Sequence, residues 1–199
     1  RHEKWLGNNQ NGYIGAASKG DSCYADDSEL RIFLIETDSD LIQIKKEIRD
    51  IYQLEKHSIH ITDTHEETKR LCDILFNENS VHYLNHSSVK KPKQFSKLIE
   101  VLTREIELNK LEIDNLVFVG GVFGAYGLRD VSDLDFVTCD QSYKKSINDN
   151  IEYSPEKLEK LPLNESDLIH NPKNYFVCEG IKFSSIEVIK EIKKTIENE

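Results

Sequence analysis

The chain has 199 residues, 38% hydrophobic and 31% charged, enough apolar material for one ordinary domain or two small ones and too much for a disordered chain. Its 26 basic and 36 acidic residues leave a net charge of −10, which excludes a broad basic footprint for duplex nucleic acid or anionic lipid while allowing a local basic patch. The longest apolar runs, around residues 31–35 and 116–119, have strand length and fall short of the ~18 residues a bilayer crossing needs, so no membrane span is expected. The amino end lacks an apolar h-region, and Cys23, Cys72, Cys139 and Cys178 form no CxxC pair; both features fit a cytoplasmic protein with reduced thiols. The chain starts at Arg1 and contains no Met, so further domains of a longer polypeptide are expected around it.

Residues 1–28 are rich in Gly, Asn, Ser and Asp and read as an irregular arm. Lys19 precedes Gly20 and Asp21 follows it, the wrong order for a phosphate loop, whose Lys follows its last Gly; the stretch reads as a surface loop. Residues 31–36 predict a buried strand, after which Asp38 or Ser39 caps a helix carrying Leu41, Ile44, Ile48 and Ile51 on one face. Residues 58–62 predict a second strand. Thr64 and Glu67 fit a capping box, Leu71, Ile74 and Leu75 line the next helix to about Asn77, and residues 81–84 predict a third strand. This βαβαβ order over 29–90 implies a small α/β unit with parallel pairing.

The Lys90-Lys91-Pro92-Lys93 run reads as a solvated connector, with a domain boundary near residue 90. Beyond it, Phe95, Leu98, Val101, Leu102, Ile106 and Leu108 give helical spacing over 92–110. There follow a strand over 115–119, a Gly-rich corner, a strand over 134–139 and a polar stretch with Pro155 and Pro162. A hairpin at Glu179-Gly180 and a helix over 185–196 close the chain. The fold class expected is α/β (α+β): a βαβαβ unit followed, over 91–199, by a mixed sheet flanked by helices.

The stretch over 117–137 concentrates the chemistry. An apolar strand ends in Gly120-Gly121, a short turn carries Arg129, and Ser132-Asp133-Leu134-Asp135 opens another apolar strand. Residues two apart on a strand share a side, so Asp133 and Asp135 project together while Leu134 faces the core. Two such carboxylates suit Mg²⁺ or Mn²⁺, the glycines let backbone amides approach a phosphate, and Arg129 offsets phosphoryl charge.

These residues resemble the nucleotidyltransferase superfamily that includes DNA polymerase beta, the minimal nucleotidyltransferases and the antibiotic-modifying nucleotidyltransferases. Its motif is an apolar strand ending in Gly-Gly or Gly-Ser, a spacer, and Asp-apolar-Asp or Asp-apolar-Glu on the next strand. Gly120-Gly121 and Asp133-Leu134-Asp135 match it, and the Gly127-x-Arg129-x-x-Ser132-Asp133 form looks like that of many bacterial members. A second likeness, through Gly121, Gly124 and Ala125, is to choline-phosphate transferases that decorate surface polysaccharides, although their run of three Asp is missing here.

The resemblance implies a nucleotidyltransferase-like domain in the carboxyl-terminal half. It would use Mg²⁺ or Mn²⁺ with a nucleoside triphosphate as substrate and transfer a nucleotidyl or phospho-group to a small-molecule or glycan-precursor acceptor. Asp133 and Asp135 would hold metal, while Gly120, Gly121, Arg129 and Ser132 would hold phosphate. A third carboxylate is expected from a later strand; Glu179 is the nearest strand-like candidate, with Glu152 and Asp167 as alternatives. The competing expectation is a non-catalytic nucleotide-binding or docking module of a larger bacterial surface-polysaccharide enzyme.

A second cluster runs from a predicted strand into a helix amino terminus: Lys56, His57, Ser58, His60, Thr64 and His65. It is a candidate anion site, with His60, Asp63 and His65 a candidate metal set, set against the plain reading of a capped helix. His82 and His86 fall at the end of the strand predicted next, an edge that would face a ligand crevice in a parallel sheet.

Overall fold

Side-chain caps set where several helices begin. In the computed structural model, which describes residues 13–24, 29–54, 57–159 and 161–197, Asp40 caps α2 (Leu41–Tyr52) by accepting from the amides of Ile42 and Gln43. At α3 (His65–Leu75) the capping box forms. The Glu67 amide donates to Thr64 Oγ1 at 3.1 Å, and the Glu67 carboxylate receives the Asp63 amide at 2.9 Å. Preceding both is α1 (Ile14–Cys23), so part of the expected irregular arm is helical.

The chain folds as two compact units, Arg1–Leu71 and Cys72–Glu199, a division earlier than the residue-90 boundary expected from composition. The first unit holds no strand among its described residues, and none of them is buried. The strands expected over 31–36 and 58–62 are therefore corrected to irregular backbone, and the βαβαβ unit is not formed. The physical reason is pairing: a strand exists only beside another, because its amides and carbonyls need a ladder. Among the described residues none supplies such a ladder to 31–36, and Phe33 is left 79% exposed.

The second unit contains the core. Asn77 caps α4 (Glu78–His86) by accepting from the Ser80 amide, and this helix replaces the strand expected over 81–84. Ser80 and Tyr83 are buried while Val81 and Leu84 are exposed. The burial period is thus helical, and a short apolar run misleads when read alone. Next come α5 (Lys93–Asn109), β1 (Leu116–Phe118), α6 (Val122–Ala125), β2 (Leu134–Thr138), β3 (Ile151–Tyr153), α7 (Glu165–His170), β4 (Tyr175–Cys178), β5 (Ile181–Ser184) and α8 (Ile186–Glu197). The strands form one mixed sheet in the order β3-β2-β1-β5-β4. Pairs β1–β2 and β5–β4 are antiparallel, and β2–β3 and β1–β5 are parallel.

Register lines up one aromatic residue from every strand. Phe118 faces Phe136 and Phe183, Phe136 faces Tyr153, and Phe183 faces Phe176. Their ring centroids are 5.5 to 6.0 Å apart along the row, within the range of favourable aromatic pairing. Phe95 of α5 packs on this side, 6.0 Å from Phe183. Alternation sends Val117, Asp135 and Val137 to the opposite side. Lys182 is also there, and its Nζ donates to the carbonyl of Ile169 in α7. Among the described residues no helix is long and apolar enough to cross a membrane.

Candidate functional site

The glycine corner is built by close approach. Gly120 follows β1, and its amide and that of Val119 both donate to the Asp135 carbonyl, at 3.0 and 2.8 Å. A methyl group on Gly120 would lie 2.5 Å from Asp135 Oδ2 and 2.6 Å from the Asp135 backbone nitrogen. Gly121 adopts φ +78°, a left-handed conformation that opens α6. The sequence motif therefore has a spatial counterpart: the glycine step lies directly against the second aspartate.

Asp135 is 8% exposed, and both its carboxylate oxygens are engaged. Ser154 Oγ donates to Oδ1 at 3.0 Å, and Lys157 Nζ donates to Oδ2 at 2.6 Å. Ser154 follows β3, and Lys157 sits on the 3-10 turn Pro155–Leu158, so the strand next to β2 folds its following turn back onto Asp135. Asp133 is exposed and accepts from Ser132 Oγ at 3.2 Å. Arg129 is exposed and lies over the Phe123 ring, 5.3 Å from its centroid.

The third carboxylate named first, Glu179, is corrected. Glu179 and Gly180, at φ +53° and +81°, form the two-residue turn of the β4–β5 hairpin, which suits a type I′ turn. Because β5 runs parallel to β1 with Lys182 opposite Val117, this turn lies level with the start of β1, whereas Gly120 follows its end. At ~3.3 Å per residue the two are separated by ~16 Å along the strands. Glu152, by contrast, is the register partner of Asp135 on the parallel neighbour β3 and is exposed. It therefore shares the Asp135 side of the sheet at ~4.8 Å strand spacing. Asp167 lies in the first turn of α7, hydrogen-bonded to Asn164.

Carboxylate oxygens are the donors that a divalent ion such as Mg²⁺ or Mn²⁺ takes. The donor type fits, being carboxylate oxygen, yet no group of three or more His, Cys, Asp or Glu converges at metal-binding geometry among the described residues. Asp135 already carries a cation on Oδ2. As arranged, these side chains do not fit a resident metal.

In the second cluster Lys56 lies outside the described residues. His57 Nδ1 meets Lys19 Nζ at 2.9 Å, His60 faces Glu67 at 3.6 Å, and Asp63 pairs with Lys45 at 3.6 Å. Ser58 is half-buried, Thr64 serves as cap, and His65 is exposed on the first turn of α3. The amides of Asp63 and Glu67, which an anion would use, are taken by the helix's own side chains. His82 and His86 stack 4.2 Å apart on α4 rather than ending a strand.

Three residues escaped sequence reasoning. Ser154 and Lys157 follow a three-residue strand too short to show alternation; the signal available was the Ser-Pro step opening a turn. Asp130 caps α5 from a distance, accepting from the amides of Gln94 and Phe95 at 3.1 and 3.0 Å, and no local pattern reveals a cap supplied from 35 residues away. A groove of about 520 Å³ lined by Glu105, Asn109, Leu116, Phe136, Tyr143 and Ile147 lies on the aromatic side of the sheet, away from Asp135. Comparison of the chain with protein-family models, with curated proteins and with solved structures gives no match.

Proposed function

We propose that the second unit is a nucleotidyltransferase-like domain that transfers a nucleotidyl or phospho-group from a nucleoside triphosphate to a small-molecule or glycan-precursor acceptor in the cytoplasm. The observation that carries this reading is the packing of Gly120 on Asp135, together with Glu152 in register beside it. Mg²⁺ or Mn²⁺ would arrive with the triphosphate as part of the substrate.

The chain's own groups then have these tasks. The Gly120-Gly121 step gives phosphate oxygens an approach unobstructed by Cβ atoms. Arg129 and Ser132, both exposed in the segment between α6 and β2, contribute a positive charge and a hydroxyl donor. Glu152 replaces Glu179 as the third acid and accepts the proton from the acceptor hydroxyl as its oxygen bonds to phosphorus, while the P–O bond to the leaving pyrophosphate (nucleotidyl transfer) or nucleoside diphosphate (phospho transfer) breaks. Net −10 favours a small or neutral acceptor over long nucleic acid, whose binding draws on phosphate neutralisation.

Calorimetric titration with ATP, CTP, GTP and UTP in Mg²⁺ tests the reading. One triphosphate is expected to bind, and Asp133→Asn with Asp135→Asn is expected to abolish that binding. Absence of binding by any of the four, or unchanged binding in the double variant, refutes it.

A second reading, a docking module of a larger surface-polysaccharide enzyme, draws on the first unit. There Leu30, Phe33, Leu34 and Ile35, and Ile42 and Ile51 of α2, are all more than half exposed, so apolar side chains stand without a core.

A further inference from the structure

We propose that residues 30–36 are an open β-strand through which two copies of this chain pair, antiparallel and centred on Phe33. The inference concerns the first unit alone and is independent of the reading given to the second. The run Leu30-Arg31-Ile32-Phe33-Leu34-Ile35-Glu36 carries strand-forming side chains, yet among the described residues no hydrogen bond reaches its main chain. Its side chains are as bare, with Leu30, Phe33, Leu34 and Ile35 all more than half exposed. In a strand Leu30, Ile32 and Leu34 share one side and Phe33 and Ile35 the other, so both sides are apolar. A helix laid on this run would cover side chains and leave its amides and carbonyls unmet; a second strand satisfies both.

The edges of the sheet in the second unit are guarded. On β4 the Tyr175 carbonyl accepts from Asn77 Nδ2 at 3.1 Å, and the Val177 amide donates to Ser80 Oγ at 3.0 Å. The other edge strand, β3, is three residues long, and its Ile151 exchanges hydrogen bonds with Ile147 and Asn148. Short or covered edges resist pairing. Residues 30–36 have neither protection, so this run is the strand that one copy offers to another. Charge selects the direction. Parallel in-register pairing would set Arg31 on Arg31 and Glu36 on Glu36, like charges directly opposite. Antiparallel pairing about Phe33 instead brings the Arg31 end of each strand to the end of the other that carries Glu36 and Asp38. It sets Phe33 on Phe33 and Ile32 on Leu34 of the second copy, with no like charges face to face. A two-stranded ladder is marginal by itself, and each chain carries −10. The pair is therefore expected to be reversible, fuller at high concentration and at a salt level that screens the repulsion.

Light scattering on size-exclusion fractions of the full chain, joined to hydrogen exchange of the 31–36 amides, tests the pairing. At high concentration and moderate salt the wild type is expected to show the mass of two chains with those amides protected. Dilution is expected to halve the mass and release the protection together. Phe33→Glu places like charges opposite each other at the centre of the ladder and is expected to give the mass of one chain at every concentration. Ile35→Lys, set opposite Arg31 of the second copy, is expected to do the same. Both side chains are exposed in the single chain, so melting curves at low concentration should match the wild type and separate lost pairing from lost folding. A wild type that stays at the mass of one chain, a two-chain mass that survives both substitutions, or a two-chain species whose 31–36 amides exchange freely overturns the inference. Protection of 31–36 that arises only when another protein is added to a monomeric chain overturns it too, and assigns the strand to a different partner.

Discussion

Replacing Gly120 by alanine is the sharpest probe of the corner. Gly120 does not have a positive φ, so its backbone suits alanine and the effect is purely steric. The new methyl would meet Asp135 Oδ2 at 2.5 Å, the Asp135 nitrogen at 2.6 Å and Asp135 Cβ at 3.0 Å. Two of those atoms cannot swing away, because the Asp135 carbonyl is tied to the amides of Val119 and Gly120. Relief requires opening the end of the β1–β2 ladder or pushing the carboxylate off Lys157. Overpacking of this kind costs about 1–3 kcal/mol, which for a unit of this size lowers the melting temperature by roughly 4–10 °C. Gly180→Ala is the control: it meets nothing within 4 Å, and only its φ of +81° opposes the change, at about 1 kcal/mol. Circular dichroism melts and triphosphate titration read both variants. Gly120→Ala should lose triphosphate binding along with stability, whereas Gly180→Ala should keep binding. A Gly120→Ala protein that melts with the wild type and binds equally well would show that the glycine step does not lie against Asp135.

Phe118→Ala removes the middle of the aromatic row, where the side chain is fully buried, and should destabilise the protein by about 3–5 kcal/mol in urea unfolding; a loss under about 1 kcal/mol would mean the row is not the core. Glu152→Gln should depress group transfer while Glu179→Ala leaves it intact, measured as turnover with the triphosphate that binds; the reverse order would restore Glu179 as the third acid. Slight desolvation works to raise the Asp130 carboxyl, but the amides of Gln94, Phe95 and Val131 outweigh it and hold the group below the usual carboxylate range. Its folded value is depressed, so its contribution to stability is present above the unfolded value of ~3.9 and is lost as pH falls through the lower folded value. Asp130→Ala should therefore melt earlier at neutral pH and converge with the wild type in strong acid. A constant gap between the two melting curves across that range would refute the cap.

What the sequence made legible was what its local physics decides. Asp40, Thr64 with Glu67, and Asn77 each stand at a helix start because a short side chain reaches the next free amides. Two of the three starts were readable within a residue or two. Glu179-Gly180 was readable as a hairpin because two positive φ values in a row favour such a pair. The strands over 31–36 and 58–62 failed for the opposite reason, since their existence depends on a partner elsewhere in the chain. The run over 81–84 failed because four apolar-rich residues fit either period, and the deciding facts, burial of Ser80 and Tyr83, are tertiary.

The candidate site divides along the same line. Gly120-Gly121 and Asp133-Leu134-Asp135 were visible as a motif because each is a short local pattern, although β2 begins only at Leu134 and Asp133 precedes it. Which of the candidate acids neighbours Asp135 was not visible, since nothing local ties Glu152 to it; only the pairing of β3 with β2 does. Strand-like surroundings were a poor guide to that neighbour, because Glu179 sits on a real hairpin level with the start of β1, away from Asp135. Parity then explains why Lys157 matters. A carboxylate sent to the side opposite the aromatic row is buried there, and burying a charge is costly unless it is paired. The turn after β3 supplies that pair with one hydroxyl and one ammonium. The groups that let the fold tolerate a buried Asp135 thus come from a turn outside β2, which no local pattern around Asp135 announces. Lys157→Met should accordingly lower the melting temperature, and adding Asp135→Asn should recover part of that loss by removing the uncompensated buried charge; equal melting of wild type and Lys157→Met would refute the pairing argument.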